Sequence, residues 1–119
     1  MARRGDAKHQ ELYIGLVRVH VLHHSAQEPI FGQGMIDELG RHGYRLGPGT
    51  MYPLLHSMER RGWLRAQPVL VSGRRRKCYT ATRAGKAALK DAIGRVRELL
   101  LEISESDSTA PNKNRASGE

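Results

Sequence analysis

Cysteine is almost missing from this chain: the 119 residues contain one, Cys78, so no internal disulfide forms, and no CxxC or Cys/His pair stands at zinc-finger spacing. A reducing cytoplasm is the expected setting. Long apolar runs are missing as well. No window approaches the roughly 18 apolar residues of a membrane span, and the polar start Met1-Ala-Arg-Arg-Gly-Asp-Ala-Lys8 has no signal-peptide stretch behind it. The expectation is a soluble, unexported protein with no membrane partner. Acidic residues are scarce in one region. From Arg41 to Lys86, nine Arg and two Lys face a single acid, Glu59, a local charge of +10, whereas residues 1–40 and 87–119 each come to −1. The whole positive excess of the chain therefore lies in its middle, as phosphate neutralisation requires. Catalytic groupings are lacking too. No Ser/His/Asp order, no paired carboxylates in apolar surroundings and no Gly-rich phosphate loop can be assembled, Gly47-Pro-Gly49 being too short. Neither an enzyme nor a cofactor is expected, and there are no internal repeats.

What is present centres on Tyr44–Leu64. Pro and Gly around Thr50 fit a helix start, with Thr50 as N-cap and Pro53 in the first turn, and Gly62 fits its stop. Between them Met51, Leu54, Leu55 and Met58 fall at i, i+3, i+4, i+7. One face is thus buried, leaving a short basic face of Tyr52, Pro53, His56, Ser57 and Arg60. The other elements support this one. Residues 1–7 read as a flexible arm carrying Arg3 and Arg4, which with Lys8 are extra phosphate contacts in the sharper reading and part of a disordered terminus in the plainer one. Lys8 to about His24 reads as a helix apolar on two sides, with Leu12, Leu16, Val19 and Leu22 on one and Ile14, Val17 and Val21 on the other. A loop at Ser25–Phe31 leads to a second helix, Gly32 to about His42, which Gly43 closes.

After Gly62, Trp63–Gln67 and Lys77–Ala81 read as paired strands, with Pro68 at a strand end and Ser72-Gly73-Arg74-Arg75-Arg76 at the tip. Such a hairpin is marginal alone and must lean on the helices through Trp63, Leu64 and Tyr79. Thr82 is the expected N-cap of a last helix to about Ile103, about 33 Å long at 1.5 Å per residue, whose start Gly85 weakens slightly. Leu89, Ile93, Val96, Leu100 and Ile103 step by 4, 3, 4, 3, the period of a seam against another helix. A homodimer is expected through this seam, with Ile14, Val17 and Val21 of the first helix beside it; the rival reading packs the seam on the chain's own first helix. Residues 104–119 lack any apolar period and read as a disordered tail.

Three helices, a basic hairpin and a long seam helix describe a mainly α fold with a small β-hairpin: a winged helix-turn-helix at 8–81 and a dimerisation helix at 82–103. The residues also resemble a family. Leu46-Gly-Pro-Gly-Thr-Met-Tyr-Pro-Leu-Leu-His-Ser-Met-Glu-Arg-Arg-Gly-Trp-Leu64, followed by Gly73-Arg-Arg-Arg-Lys-Cys-Tyr-Thr-Ala-Thr-Arg-Ala-Gly85, is similar to the PadR transcriptional regulators over about residues 10–103. Gly47, Trp63 and Cys78 depart from the family's usual Ser, Leu and Tyr. The resemblance implies a compact, dimeric repressor, of a neighbouring gene as is common for small regulators of this kind, and two subunits about a two-fold axis are expected to bind a palindromic operator in double-stranded DNA. It also implies that some members bind flat aromatic effectors between subunits, a role for which Trp63 competes with that of wing anchor.

On this reading Thr50, Tyr52 and His56, with Ser57 and Arg60 behind them, contact groove or phosphate, while Arg74, Arg75, Arg76 and Lys77 follow the backbone or enter the minor groove. Thr50 has a rival role as cap and Tyr52 as filler between helices. His20, His23 and His24 cluster late in the first helix, and His20 with His24 at i, i+4 is a weak metal-site signal, set against a favourable placement near the helix C-terminus. Cys78 is a redox sensor in one reading and a packed strand residue in the other. The alternatives to an operator-binding regulator are a metal- or small-molecule-responsive sensor of the same fold, a non-specific or structural nucleic-acid binder, and an interaction module.

Overall fold

The structure, a computed structural model, describes the backbone of residues 2–109 and the side chains of residues 9–107. Its elements are α1 (Ala2–Gln27), α2 (Gly32–Arg41), α3 (Pro48–Arg60), β1 (Leu64–Val71), β2 (Arg74–Ala81) and α4 (Arg83–Thr109). This is a winged helix-turn-helix followed by a long helix. Two compact units divide the chain, Met1–Leu89 and Lys90–Glu119, and α4 runs through the boundary.

Several helix bounds differ from those read in the sequence, and at its end α1 runs three residues into the expected Ser25–Phe31 loop, to Gln27. Helix α1 begins at Ala2, so residues 2–7 are its first turns; Ala2, Arg3, Arg4, Ala7 and Lys8 are all good helix formers. The side chains of Arg3, Arg4 and Lys8 lie outside the described residues. Helix α4 continues to Thr109, because adding a residue to a helix needs no apolar face and no Pro interrupts the chain before Pro111. Residues 110–119 of the expected tail are outside the described residues.

The core of the first unit is built from one face of each element. Val17, Val21 and Leu22 of α1 meet Met35 and Leu39 of α2 and Met51, Leu54, Leu55 and Met58 of α3, with Ile30, Leu46, Leu64 and Tyr79 closing the sides. Val17 and Val21 are 1% and 0% exposed. They are core residues of their own subunit and are corrected as seam candidates; Ile14 is half-buried against the same core. The open apolar residues of α1 are Leu12 and Leu16 instead. Sequence periodicity found both faces of α1 and could not say which its own chain covers: the core takes Val17 and Val21 from one and Leu22 from the other.

Helices α2 and α3 end alike. Gly43 N–H bonds to the Gly40 carbonyl and Tyr44 N–H to that of Leu39; Gly62 N–H bonds to Glu59 and Trp63 N–H to Met58. Both are Schellman caps, and Gly43 (φ +93°) and Gly62 (φ +81°) take the left-handed position these require. The hairpin is tighter than the sequence suggests. Its strands pair from Leu64↔Ala81 to Val71↔Arg74, and only Ser72 and Gly73, both with positive φ, form the turn. That is a type I′ turn, whose twist matches the strands. Pro68 lies within β1, opposite Lys77, at a position whose N–H would point away from β2, so no ladder bond is lost.

At the start of α4, Thr82 caps as expected: its hydroxyl accepts from Gly85 N–H at 3.0 Å and donates to the Gly62 carbonyl. Gly85 has a role beyond weakening the helix. A Cβ there would lie 2.1 Å from the Trp63 carbonyl oxygen, so glycine permits the close approach of α4 to the strand start. Gly94, later in the same helix, meets nothing within 4 Å. Gly85→Ala is therefore expected to lose about 1–3 kcal/mol in denaturant unfolding by forced overpacking, whereas Gly94→Ala gains up to about 1 kcal/mol from helix propensity alone.

Candidate nucleic-acid interface

The first residue of α3 is Pro48, and its N-cap is Gly47, in extended conformation with no side-chain cap bond. This corrects the expected cap. Thr50 is the third helical residue, and its hydroxyl accepts from Gln10 Nε2 of α1 at 3.4 Å. Pro53 is inside the helix, where it withholds the N–H that the Gly49 carbonyl would otherwise accept. With Met51, Leu54, Leu55 and Met58 buried, the outer side carries Pro53, His56 and Arg60, all exposed, and half-buried Tyr52. The Tyr52 ring seats on Gly32 at the start of α2, where a Cβ would be 2.4 Å from its edge. That packing supports the helix-filling role weighed for Tyr52, whose half-buried ring also lines a groove beside β2. Ser57 does not face out: its hydroxyl oxygen is buried without a hydrogen-bond partner among the described residues.

Arg74, Arg75, Arg76 and Lys77 are exposed on strand β2, not in a loop at the tip. They form one wall of a groove of roughly 670 Å³ whose opposite wall is Tyr52 and His56, with Phe31, Gly32 and Gln33 between. Two of the cations are steadied by rings. The Arg76 guanidinium lies 4.8 Å from the Phe31 ring centre and the Lys77 ammonium 6.0 Å from that of Tyr79. Among the described residues every ion pair converges on Glu38, so Arg60, Arg74, Arg75, Arg76 and Lys77 have no carboxylate at ion-pair distance.

The strand holding these charges is fastened to the helices by backbone. Ile30, between α1 and α2, exchanges two bonds with Tyr79: Ile30 N–H to Tyr79 carbonyl at 2.9 Å and Tyr79 N–H to Ile30 carbonyl at 2.8 Å. Tyr79 is fully buried, and burial first, then Glu59 and Tyr52, pushes its phenol pKa up, so it stays neutral. Neither Phe31 nor Ile30 was legible as part of the site, because the bridge pairs residues far apart in sequence. Cys78 is buried on the strand and packs as a small apolar group. Trp63 is half-buried against the core under the Arg61 guanidinium, at 5.5 Å, consistent with a wing anchor.

The histidines gather more closely than the sequence suggested. His20 and His24 of α1 meet His42, the C-cap of α2, while His23 is exposed beside His24. Burial, then the charges of His42, His24 and His23, lower the His20 pKa. His42 escaped the sequence reading because it stands 18 positions from His24; only the packing of α2 on α1 joins them.

A winged helix-turn-helix with a cationic groove between its third helix and its wing defines a DNA-binding class, and comparison with known proteins specifies it. Residues 21–91 match the PadR-like family of transcriptional regulators. The chain is 44% identical over 94 residues to Transcriptional regulator Rv3488 of Mycobacterium tuberculosis, covering 79% of this chain and 88% of that protein. A PadR family regulator from Eggerthella lenta superposes with a TM-score of 0.72 at 25% identity, covering 83% of this chain and 88% of that one. A Streptococcus transcriptional regulator shares the fold at a TM-score of 0.74 and 23% identity, over 81% and 96% of the two chains. The protein belongs to the PadR-like family and is a DNA-binding transcriptional regulator; its relatives are regulators, not enzymes. No helix of the described residues is long and apolar enough to cross a membrane.

The buried hydroxyl of Ser57 supplies a check on the recognition face. Ser57→Ala is expected to leave DNA affinity unchanged in fluorescence anisotropy and to hold or raise stability by up to about 1 kcal/mol, because it removes an unpaired buried polar group.

Proposed function

We propose that the protein is a cytoplasmic, homodimeric repressor of a neighbouring gene, binding a palindromic operator in double-stranded DNA. The observation that carries this reading is the groove itself, with Tyr52 and His56 on one wall and four unpaired cations on the other. The N-terminal half of α3 enters the major groove, with Thr50, Tyr52 and His56 nearest the bases and phosphates and Arg60 behind them. Arg74, Arg75, Arg76 and Lys77 follow the flanking backbone or the adjacent minor groove. Helix α4 supports pairing. Ile93, Leu100 and Ile103 of the seam are 40%, 59% and 47% exposed, and Leu99 and Leu101, on its two flanks, are open as well. Leu12 and Leu16 of α1 are a second open apolar patch for the partner. Two-fold pairing presents two recognition helices to half-sites about one helical turn apart.

Gel-shift titration with the DNA upstream of the neighbouring gene tests this, with shuffled DNA as competitor; equal affinity for both would leave only a non-specific binder. His56→Ala is expected to cost about 1–3 kcal/mol on the operator and little on shuffled DNA. Arg75→Ala should weaken both alike and reduce the slope of log affinity against log salt by about one. The joint substitution Ile93→Asp and Leu100→Asp should yield a folded monomer in sedimentation and lose the operator complex.

A further inference from the structure

We propose that His20, His24 and His42, with Glu38 beside them, form a site for a divalent transition ion of the zinc class, which fastens α1 to the end of α2. The three imidazoles each offer a nitrogen, and these atoms all lie within 4.8 Å of one another. A tetrahedral ion at about 2.0–2.1 Å from nitrogen holds its ligands about 3.4 Å apart, so closing the site needs only small ring rotations. The rings are already grouped for it. His20 stacks on His42 with centres 5.1 Å apart and on His24 at 6.3 Å. Glu38 contributes the negative charge. Its Oε2 is 3.1 Å from His42 Nε2 and 3.8 Å from His24 Nε2, so it either completes the coordination or orients a ligating ring.

The donor set selects the ion class. Imidazole nitrogen suits zinc, cadmium, nickel and copper, whereas magnesium and calcium require oxygen cages. Attraction to helix C-terminal dipoles accounts for His24, in the last turn of α1, and for His42, the C-cap of α2, and does not account for His20, a turn earlier in α1, whose ring meets both. Placement adds weight. His42 immediately precedes Gly43 and Tyr44 in the turn that leads to α3, and the Tyr44 ring meets both His20, at 5.4 Å, and Tyr13, at 5.9 Å. An ion held here ties α1 to the turn of the helix-turn-helix. The site deepens the regulator reading, and ion binding itself does not depend on that reading.

Calorimetric titration of the full chain with Zn²⁺ and Cd²⁺ tests it without DNA. One ion per chain is expected, with a rise in the thermal unfolding midpoint on saturation and no heat from Mg²⁺. His42→Ala and the milder His20→Gln should weaken the ion by more than about tenfold, while His23→Ala binds as the parent does; circular dichroism verifies that each variant is folded. Absence of saturable heat with both ions, or parent-like binding by His42→Ala, overturns the site and leaves DNA recognition intact. Failure to bind any DNA by a protein that still takes up zinc overturns the regulator reading alone.

Discussion

The reciprocal backbone bond between Ile30 and Tyr79 is the constraint on which the cationic groove between α3 and the wing depends. A two-stranded hairpin has too little buried face to hold its place in water. Here one residue of the α1–α2 connection acts as a third strand, and the buried Tyr79 ring locks the hairpin base into the helical core. The adjoining Phe31 then lies under Arg76, so the contact that anchors the wing also positions one of its charges. At the same base of the hairpin, three residues on, Thr82 ties the start of α4 to the end of α3 through the Gly62 carbonyl. The hairpin is thereby fastened to the helices by hydrogen bonds at the C-terminal end of β2.

Helix α3 is oriented from its buried side. Four apolar residues sink into the core, and Gly32 lets the Tyr52 ring lie against the start of α2. The exposed N-terminal end is built from Gly47, Pro48 and Gly49, residues that place no bulky side chain between the backbone and an approaching phosphate. The cap is a glycine whose side cannot compete for the first N–H groups, and Thr50 is thereby released from capping to contact Gln10 of α1. Charge follows from the same economy of contacts. Glu38 satisfies Arg41 and two histidines on the far side of α2, and its pKa is lowered chiefly by the Arg41 hydrogen bond, then by that of His42. Among the described residues the cations of β2 have no such carboxylate partner.

Much of this was legible in the residues. The 3.6-residue spacing of Met51, Leu54, Leu55 and Met58 identified the buried face of α3, Gly43 and Gly62 marked the ends of α2 and α3, and Thr82 announced α4, because these signals act within a few residues. Signals that depend on long-range contact were misread or missed. Thr50 looked like a cap since its type favours that place, yet Gly47 lies where the chain actually turns. Ser57 falls on the outward side by periodicity, and its hydroxyl is nonetheless covered. Gly85 read as a weak point, whereas it is the space into which the Trp63 carbonyl fits.

Local chemistry by itself determined the order of elements, the basic middle of the chain and the family. Helix periodicity, glycine stops and charge counts need no knowledge of neighbours distant in sequence. Tertiary structure alone decided which of the two apolar faces of α1 is core, that Ile30 and Phe31 complete the wing, and that His42 joins His20 and His24. Each of those depends on packing between segments many residues apart, and a one-dimensional pattern carries no information on which of several compatible faces will meet.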